Sequence, residues 1–287
     1  MTEKRLAPLY VVPTPLGNLG DLSARQRDIL TCVDWIAAED TRHCALLFQH
    51  LKIPGNKCFA AHAHNEQAIA ERIVVRLSAG ESGALISDAG TPAISDPGAR
   101  IVARVRAAGG VVIPLPGPCA AVTAISASGL PDAHWLFYGF LPPKSGQRRT
   151  ALVALQAFPH ALVFYEAPHR VTASVADMAV ILGEQRTLVL ARELTKRFEQ
   201  IHALPLGEAR AWLEADAQRQ KGEFVLIVSG ARVARETAEA DRILRLLLEE
   251  MPTKQAARLA AAITDIPRNT LYERALALQS RKQQTPS

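Results

Sequence analysis

The sequence predicts an α/β protein made of two α/β domains and a small C-terminal helical module that resembles a helix-turn-helix. In the first part of the chain, short apolar runs alternate with amphipathic segments of helical length, the pattern of a parallel sheet with helices on both faces. A segment rich in proline and glycine, 129–146, interrupts the alternation, and from about residue 234 the pattern is wholly helical. We therefore expect domains at 1–130, 131–233 and 234–287.

Composition limits the class of protein. The chain has 287 residues, of which 48% are hydrophobic and 21% charged, enough to bury a core in more than one domain. The net charge of +5 weakly favours an anionic partner such as nucleic acid. The four cysteines show no CxxC spacing, and neither a signal peptide nor an apolar run of about 18 residues is present. These features predict a cytoplasmic protein with reduced thiols and no membrane span.

Strand and helix signals in the first domain follow one another in order. Ser23 directly precedes an amphipathic segment and is predicted to cap a helix that runs to about Cys32. The predicted strands begin at Leu9 and continue at 35–38, 58–62, 84–87 and 111–115. The other predicted helices are 41–51, 65–77 and 97–108.

The strands of the second domain follow one another more directly, which favours a mixed sheet. They are predicted at 161–165, 187–191, 200–204 and 224–228, after a short strand 135–140 inside the linker, with helices near 149–157, 169–182 and 207–218. Helices 238–250, 254–263 and 268–278 form the C-terminal module, and the tail from Gln279 is predicted to be disordered. This module either contacts RNA or clasps the main body.

Three strands of the first domain end in loops rich in glycine and proline. These loops read PLGNLGD at 15–21, SDAGTPAISDPG at 87–98 and PLPGPCAA at 114–121. Because such loops have few conformations when free, binding a ligand costs them less ordering entropy. Ligands of open α/β sheets bind beyond the carboxyl ends of the strands, so the loops predict a binding site. Neither GxGxxG nor GxxxxGK[ST] is present, which argues against a dinucleotide or nucleoside triphosphate.

Together with YEAPHR at 165–170 and LARELTK at 190–196, the three loops resemble the tetrapyrrole methylase superfamily. EDTR at 39–42, AHAHNE at 61–66 and YEAPHR resemble its ribosomal RNA branch. The resemblance implies S-adenosyl-L-methionine bound in a cleft between the two domains, and a homodimer. It also implies 2′-O-methylation of a cytidine ribose in 16S rRNA near the decoding centre, on free rRNA or the assembled small ribosomal subunit. Gly90-Thr91-Pro92 stands where corrin-making relatives carry Gly-Asp-Pro, which argues against a tetrapyrrole substrate.

The resemblance also implies site residues, position by position. The cofactor contacts fall on Leu16, Gly17, Ala89, Gly90, Thr91, Ile94, Cys119, Ala120, Glu166 and Ala191. Arg42 and Arg170 suit phosphate groups of the RNA, because guanidinium groups donate in pairs. The alternative is that EDTR and YEAPHR form interdomain ion pairs.

Proton transfer in this chemistry calls for a general base, and the sequence does not choose among the candidates. They are Glu39, Asp40, Asp88, Glu166 and His169. The HxH pair His62 and His64, with Asp40 or Asp88, is a weak metal pattern, and histidines without a fixed third ligand are more often structural. We expect no metal site.

Two other functions fit the same pattern. One is methylation of a small molecule or a protein side chain on the same fold. The other is a nucleic-acid-binding regulator whose C-terminal module reads DNA and whose α/β part senses a nucleotide. Three glycine- and proline-rich loops at one crevice exceed what a sensor requires, which favours the enzyme.

Overall fold

The structure of the protein, a computed structural model, describes residues 6–52, 57–62, 65–264 and 266–283. Within the helices it gives no side-chain surroundings for 232–238 and 280–283. His64 of the HxH pair therefore lies outside the described residues.

The first sheet has five strands, and every neighbouring pair is parallel. Their order is β3-β2-β4-β1-β5. The strands are β1 (Leu9–Val11), β2 (Trp35–Ala38), β3 (Cys58–Ala60), β4 (Gly83–Ile86) and β5 (Val112–Pro114). The helices of this part are α1 (Ala24–Cys32), α2 (Thr41–Leu51), α3 (Glu66–Ser78), α4 (Ala99–Ala107) and α5 (Ala120–Ser126). The predicted parallel sheet is confirmed, whereas α5 was not predicted.

Helices cover both faces of this sheet, because successive residues of β2 pack against helices on opposite faces. Ile36 packs in one apolar cluster with α1 and α2, and Trp35 packs in another with α3 and α4. Residues two apart on a strand share a face, so both faces of β2 must be apolar. This accounts for the continuous apolar run WIAA.

The second sheet also has five strands, in the order β6-β7-β10-β8-β9. The strands are β6 (Trp135–Phe140), β7 (Ala161–Glu166), β8 (Thr187–Arg192), β9 (Gln200–Pro205) and β10 (Phe224–Val228). β6 pairs with β7 in parallel and the other pairs are antiparallel, so the predicted mixed sheet is confirmed. The strand predicted inside a linker is in fact the edge strand of this sheet.

Helices on one face of the second sheet are α6 (Ser145–Leu155), α7 (Val171–Leu182) and α8 (Ala209–Glu214). The other face packs against α5, whose Ala121 and Ala124 lie among apolar residues of β7, β8 and β10. Because α5 begins where the third loop ends, that loop ties the first sheet to the second.

The C-terminal part consists of α9 (Arg232–Glu250), α10 (Thr253–Thr264) and α11 (Arg268–Gln283). Its apolar cluster, which includes Leu244 and Leu271, is built only from residues of this part, and Arg274 pairs with Asp241 at 2.8 Å. The prediction that the tail is disordered from Gln279 is wrong for 279–283, because α11 continues to Gln283. Residues 284–287 lie outside the described ranges. The three predicted domain limits stay a prediction.

None of the helices in the described ranges combines the length and hydrophobicity needed to cross a bilayer.

Candidate functional site

The three glycine- and proline-rich loops meet at a cavity of about 450 Å³, whose other wall comes from the second sheet. Every predicted cofactor contact except Gly17 lines this cavity. Residues 167–168 and 223–225 also line it, together with Phe140, Tyr165 and Leu194. Tyr165, residues 167–168 and Leu194 belong to the motifs YEAPHR and LARELTK, whereas Phe140 and 223–225 had no sequence signal, because only the fold brings them to the loops.

Hydrogen bonds join the loops to one another. The main chains of Thr14 and Gly90 bond in both directions at 2.9 Å, and the Thr91 hydroxyl donates to the Pro118 carbonyl at 2.8 Å. The Gln26 side chain donates to the carbonyls of Pro13 at 3.2 Å and Pro116 at 3.4 Å. The cavity wall is therefore arranged before any ligand binds, which lowers the entropy cost of binding.

The start of α1 is what places Gln26. Ser23 accepts from the Gln26 main-chain N–H at 3.2 Å, and the Gln26 side chain accepts from the Ser23 N–H at 2.7 Å. This reciprocal capping box satisfies two N–H groups that the first helical turn leaves unpaired. The predicted cap at Ser23 is confirmed.

Gly90 occupies a position that a side chain would not fit well. Its φ of +83° lies in the left-handed region, and a Cβ there would sit 3.2 Å from Leu16 Cδ2 and 3.7 Å from the Pro118 carbonyl oxygen. Glycine is therefore needed both for conformation and for space between the first and third loops.

Two turns at the cavity hold non-glycine residues in the left-handed region. Ala93 and Ser95, with φ of 67° and 64°, flank Ile94, whereas Glu193 and Thr195, with φ of 51° and 67°, flank Leu194. Ile94 and Leu194 both line the cavity. Such residues cost of order 1–3 kcal/mol each and cluster at binding sites.

Tyr165 anchors the second-sheet wall. Its hydroxyl accepts a hydrogen bond from the Ala121 N–H at 3.1 Å, and burial raises its pKa above the ordinary value. Its ring packs edge-on against Phe140, with centroids 5.6 Å apart, and Phe140 remains 52% exposed at the cavity. The wall is thus apolar and keeps one aromatic ring accessible.

Five carboxyl side chains line the cavity, those of Glu39, Asp88, Asp96, Glu166 and Glu223, and the first three of them follow strands of the first sheet. Asp88 accepts from the Asp40 N–H at 3.0 Å, and its second oxygen lies 3.3 Å from His43 Nδ1. Burial first, and then the charge of Asp88, raise the pKa of Glu39. Burial first, and then the charge of Glu39, raise the pKa of Asp96 to about 7. Sequence analysis did not name Asp96 as a candidate.

Asp40 does not line the cavity, although EDTR places it beside Glu39. Its carboxylate caps α2 by accepting from the Arg42 N–H at 2.8 Å, and it also accepts from the Arg42 guanidinium, with Nε–Oδ1 at 3.0 Å. These bonds hold the pKa of Asp40 well below its usual range, which makes it a poor base. The Arg42 side chain is 89% exposed.

The Glu166 side chain faces inward, with 0% of its area exposed, and is saturated by hydrogen bonds. It accepts from Ser174 Oγ at 2.5 Å and the Ala167 N–H at 2.9 Å, and it pairs with Arg170, whose Nε lies 3.0 Å away. Arg170 also donates to the Leu141 carbonyl at 2.5 Å and is 19% exposed. The structure therefore argues against Glu166 as a base and against Arg170 as a phosphate ligand.

His169 is exposed in the turn before α7 and does not line the cavity. Its neighbours along the chain, Pro168 and Ala167, reach the cavity instead.

The AHAHNE motif has structural contacts through its last two residues. Glu66 is buried, and its Oε1 accepts from the N–H groups of Gly98 and Arg100, both at 2.9 Å, at the start of α4. Asn65 accepts from the His62 N–H at 2.9 Å. Within the described part of the chain, no group of three histidine, cysteine, aspartate or glutamate side chains could hold a metal ion.

Gly17, the predicted contact outside the cavity, lies against Lys196, and a Cβ at Gly17 would overlap that side chain. Lys196 bridges Glu193 at 2.9 Å and Glu223 at 3.1 Å. The first loop thus touches the turn between β8 and β9, and Gly17 leaves room for the bridge.

Comparison with known proteins adds two family matches. The model of the tetrapyrrole (corrin/porphyrin) methylases matches residues 8–210, and that of the RsmI C-terminal HTH domain matches 234–279. The chain is 52% identical to ribosomal RNA small subunit methyltransferase I of Escherichia coli O157:H7, covering 94% of this chain and 95% of that protein. It is 50% identical to the protein of the same name from Vibrio cholerae serotype O1, over 95% and 97%.

Solved structures with this fold are more distant in sequence. Uroporphyrin-III C-methyltransferase from Thermus thermophilus has a TM-score of 0.56 at 18% identity and covers 81% of this chain and 98% of its own. A second structure of that enzyme, complexed with S-adenyl homocysteine, has a TM-score of 0.55 at 16% identity, over 78% and 97%. Diphthine synthase has a TM-score of 0.59 at 12% identity, over 80% and 93%. These likenesses show the fold.

Proposed function

This chain belongs to the tetrapyrrole (corrin/porphyrin) methylase family, and from that premise we propose that it is an S-adenosylmethionine-dependent methyltransferase of ribosomal RNA. Relatives called ribosomal RNA small subunit methyltransferase I share about half of its residues over nearly their full length, which supports small-subunit rRNA as the substrate. The observation that carries the proposal is the cavity, formed by three loops that are hydrogen-bonded to one another and faced by the second sheet.

The cavity fits the cofactor in size and in chemistry. Its volume of about 450 Å³ falls within the range of small-molecule sites. Main-chain groups around Gly90 offer hydrogen bonds, Ile94 and Leu194 offer apolar contact, and Glu39 and Asp88 offer negative charge. When bound, the cofactor supplies an activated methyl group on a positively charged sulfur. Carboxylates near that charge favour its binding.

We assign the methyl acceptor as the 2′-hydroxyl of a cytidine in 16S rRNA, near the decoding centre. The motifs EDTR, AHAHNE and YEAPHR support this assignment, as does Thr91 in place of the aspartate of corrin-making relatives. A ribose hydroxyl is a poor nucleophile, so the site must orient it towards the methyl group and accept its proton late in the step.

RNA contact is assigned to Arg42 and to the C-terminal helices. The exposed Arg42 guanidinium stands at the start of α2, beside the cavity residue Glu39, and suits a phosphate group. The helices α9, α10 and α11 form a module outside the two sheets, which suits binding to RNA or to the assembled subunit. Because Arg170 is ion-paired with Glu166, we assign it a different role, which is to position the turn after β7. We also propose a homodimer.

Transfer of tritium from labelled S-adenosylmethionine tests the proposal. The purified protein is offered assembled small subunits, free 16S rRNA, DNA, and a cell extract freed of nucleic acid. Label in the rRNA of either of the first two substrates supports the proposal. Label only in protein or in a small molecule of the extract would instead favour the other substrate classes of this fold.

A further inference from the structure

We propose that Asp96 is the catalytic base of this site, whose carboxylate accepts the proton of the ribose 2′-hydroxyl; this inference rests on the proposed function. Asp96 lies at the far end of the second loop and lines the same cavity as the predicted cofactor contacts. It was not among the candidates that the sequence offered.

The other carboxyl groups of the region already have partners that hold them in place. Asp88 accepts from the Asp40 N–H and faces His43, and Asp40 is held by Arg42. Glu166 is buried and accepts from Ser174 and Ala167, and Glu223 pairs with Lys196 at 3.1 Å. By contrast, among the described residues no cation pairs with Glu39 or Asp96 within 4.0 Å. The choice therefore narrows to these two.

Contacts with two other elements hold the backbone around Asp96 in place. A catalytic base needs such a fixed position relative to its substrate. On one side, a Cβ at Gly139 of β6 would lie 2.8 Å from Ser95 Oγ, so this loop touches the second sheet closely. On the other side, Glu66 accepts from the Gly98 N–H at 2.9 Å. The Pro97 carbonyl accepts from the Ala93 N–H at 3.3 Å. Asp96 thus sits in a short segment braced by α3 and by β6.

The polar groups that face Asp96 lie on or directly after three strands. Glu39 follows β2, Asp88 and the Ser87 hydroxyl follow β4, and Tyr165 lies on β7. Among the described residues, the basic side chain in contact with this cluster is His43 of α2, whose Nδ1 lies 3.3 Å from Asp88. No lysine or arginine of the described chain lines the cavity.

These surroundings suit proton acceptance near neutral pH. Burial, and after it the charge of Glu39, raise the pKa of Asp96 to about 7, while a hydrogen bond from Ser87 acts in the opposite direction. A general base works best when its pKa lies near the operating pH, because it is then both deprotonated and reasonably basic. Glu39 acts here as a positioning residue that sets the basicity of Asp96.

The step balances in atoms and charge. The ribose oxygen forms its bond to the methyl carbon, the bond from that carbon to sulfur breaks, and the sulfur keeps the electron pair as a neutral thioether. Asp96 takes the hydroxyl proton as the oxygen–carbon bond forms and later releases it to solvent. No oxidant, reductant or metal is required.

The first test is the pH dependence of methyl transfer in single turnover at saturating cofactor and rRNA. In the wild type the rate should rise with pH along one acidic limb, set by Asp96 in the complex with the bound cofactor, and then level off. Asp96→Asn should lower the plateau rate by roughly 10²–10⁴-fold, with no acidic limb, and leave S-adenosylhomocysteine affinity within about threefold. Glu39→Gln should move the acidic limb to lower pH, because it removes the neighbouring negative charge. Glu71→Gln, which changes an exposed carboxyl of α3 outside the cavity, serves as the control and should retain the limb at the same pH.

The second test reads proton release by calorimetry and needs no RNA. Binding of cationic S-adenosylmethionine at pH 7, compared in buffers of different ionisation enthalpy, should release a fraction of a proton in the wild type, because the cationic cofactor disfavours the protonated form of Asp96. Neutral S-adenosylhomocysteine should release less. Asp96→Asn should abolish the difference between the two ligands.

The possible outcomes test the role of Asp96 separately from the proposed function. An Asp96→Asn variant that keeps its rate within threefold, with an unchanged acidic limb, would overturn the assignment. So would a folded variant that loses cofactor affinity rather than rate, since Asp96 would then be a cofactor ligand. Loss of the limb in Glu39→Gln alone would transfer the role to Glu39. A wild type that methylates no rRNA would instead refute the proposed function.

Discussion

The main chains of Thr14 and Gly90 hydrogen-bond to each other in both directions at 2.9 Å, joining the first loop to the second. The Thr14 hydroxyl adds a bond to the Ser87 carbonyl at 3.0 Å. The two loops therefore behave as one surface, and a change at Gly90 should affect both.

Gly90→Leu should weaken S-adenosylhomocysteine binding by at least about 100-fold, because the new side chain competes with the ligand for space between Leu16 and Pro118. Gly80→Leu is the matched control. Gly80 also has a positive φ, of 93°, but nothing lies within 4 Å of its Cβ position. Both substitutions place a side chain at a positive φ, so the two variants share the backbone strain. Equal S-adenosylhomocysteine affinities of the two variants in calorimetry would contradict the proposed position of the cofactor.

Glu66→Ala should reduce the free energy of unfolding by about 2 kcal/mol, because the N–H groups of Gly98 and Arg100 lose their buried acceptor. Glu71→Ala, also on α3, removes an ion pair to Arg104 whose partners are both exposed, and should cost less than about 1 kcal/mol. Urea denaturation measures both. A smaller loss for Glu66→Ala than for Glu71→Ala would show that the cap contributes little.

The contribution of Asp96 to the free energy of unfolding should fall as pH rises from about 4 to about 7. Its pKa of about 7 in the folded protein exceeds its ordinary value, so the folded state holds that proton more tightly than the unfolded chain does. The contribution is complete below the unfolded pKa and is lost as pH passes through the folded one. Asp96→Asn should therefore gain roughly 1–2 kcal/mol over the wild type at pH 8 relative to pH 4, after allowance for solvent screening. Equal pH profiles of unfolding would contradict the burial argument.

Arg42→Ala should weaken rRNA binding by about tenfold and make its salt dependence shallower by about one unit of slope, since one phosphate contact is lost. S-adenosylhomocysteine affinity should not change. Arg210→Ala removes an equally ion-paired arginine of α8, whose side chain is 62% exposed, and should leave RNA binding unaltered. Filter binding at several salt concentrations distinguishes the two. Equal losses would indicate a general charge effect.

A chain that ends at residue 231 should bind S-adenosylhomocysteine normally and rRNA more weakly. The difference should be largest at low salt, because fewer phosphate contacts give a shallower salt slope. Full methylation by the shortened chain at limiting rRNA would show that the C-terminal helices do not grip the substrate. Sedimentation of both chains at micromolar concentration also tests the proposed homodimer, for which the expected result is twice the monomer mass.

Features of the fold and of the site could be predicted from the sequence where neighbouring residues encode them. The cap at Ser23, the strand 35–38 and the three loops are encoded by neighbouring residues, and the structure confirms them. The basicity of Asp96 depends on Glu39, which is distant in sequence, so no local pattern reveals it. Arg170 was predicted to contact phosphate, with an interdomain ion pair as the alternative; its ion pair with Glu166 instead lies within the turn between β7 and α7.

The helix α5, and the place of the predicted strand 135–140 in the second sheet, were missed for related reasons. The helix α5 is only seven residues long, and its cap, Cys119, makes no side-chain hydrogen bond, so it lacks the usual start signal. Phe140 belongs to an edge strand flanked by prolines and glycines, which resembles a linker when seen in sequence alone. Both lie beside the cavity only because the second sheet packs against the third loop.

Location of the transferred methyl group tests the central claim most directly. Small subunits that lack the modification are incubated with the protein and S-adenosylmethionine, and the rRNA is digested to nucleosides for mass spectrometry. We predict a cytidine that carries the new methyl on its ribose, with no product from a variant that cannot bind the cofactor. A methyl group on the base, or on a nucleoside other than cytidine, would contradict the account.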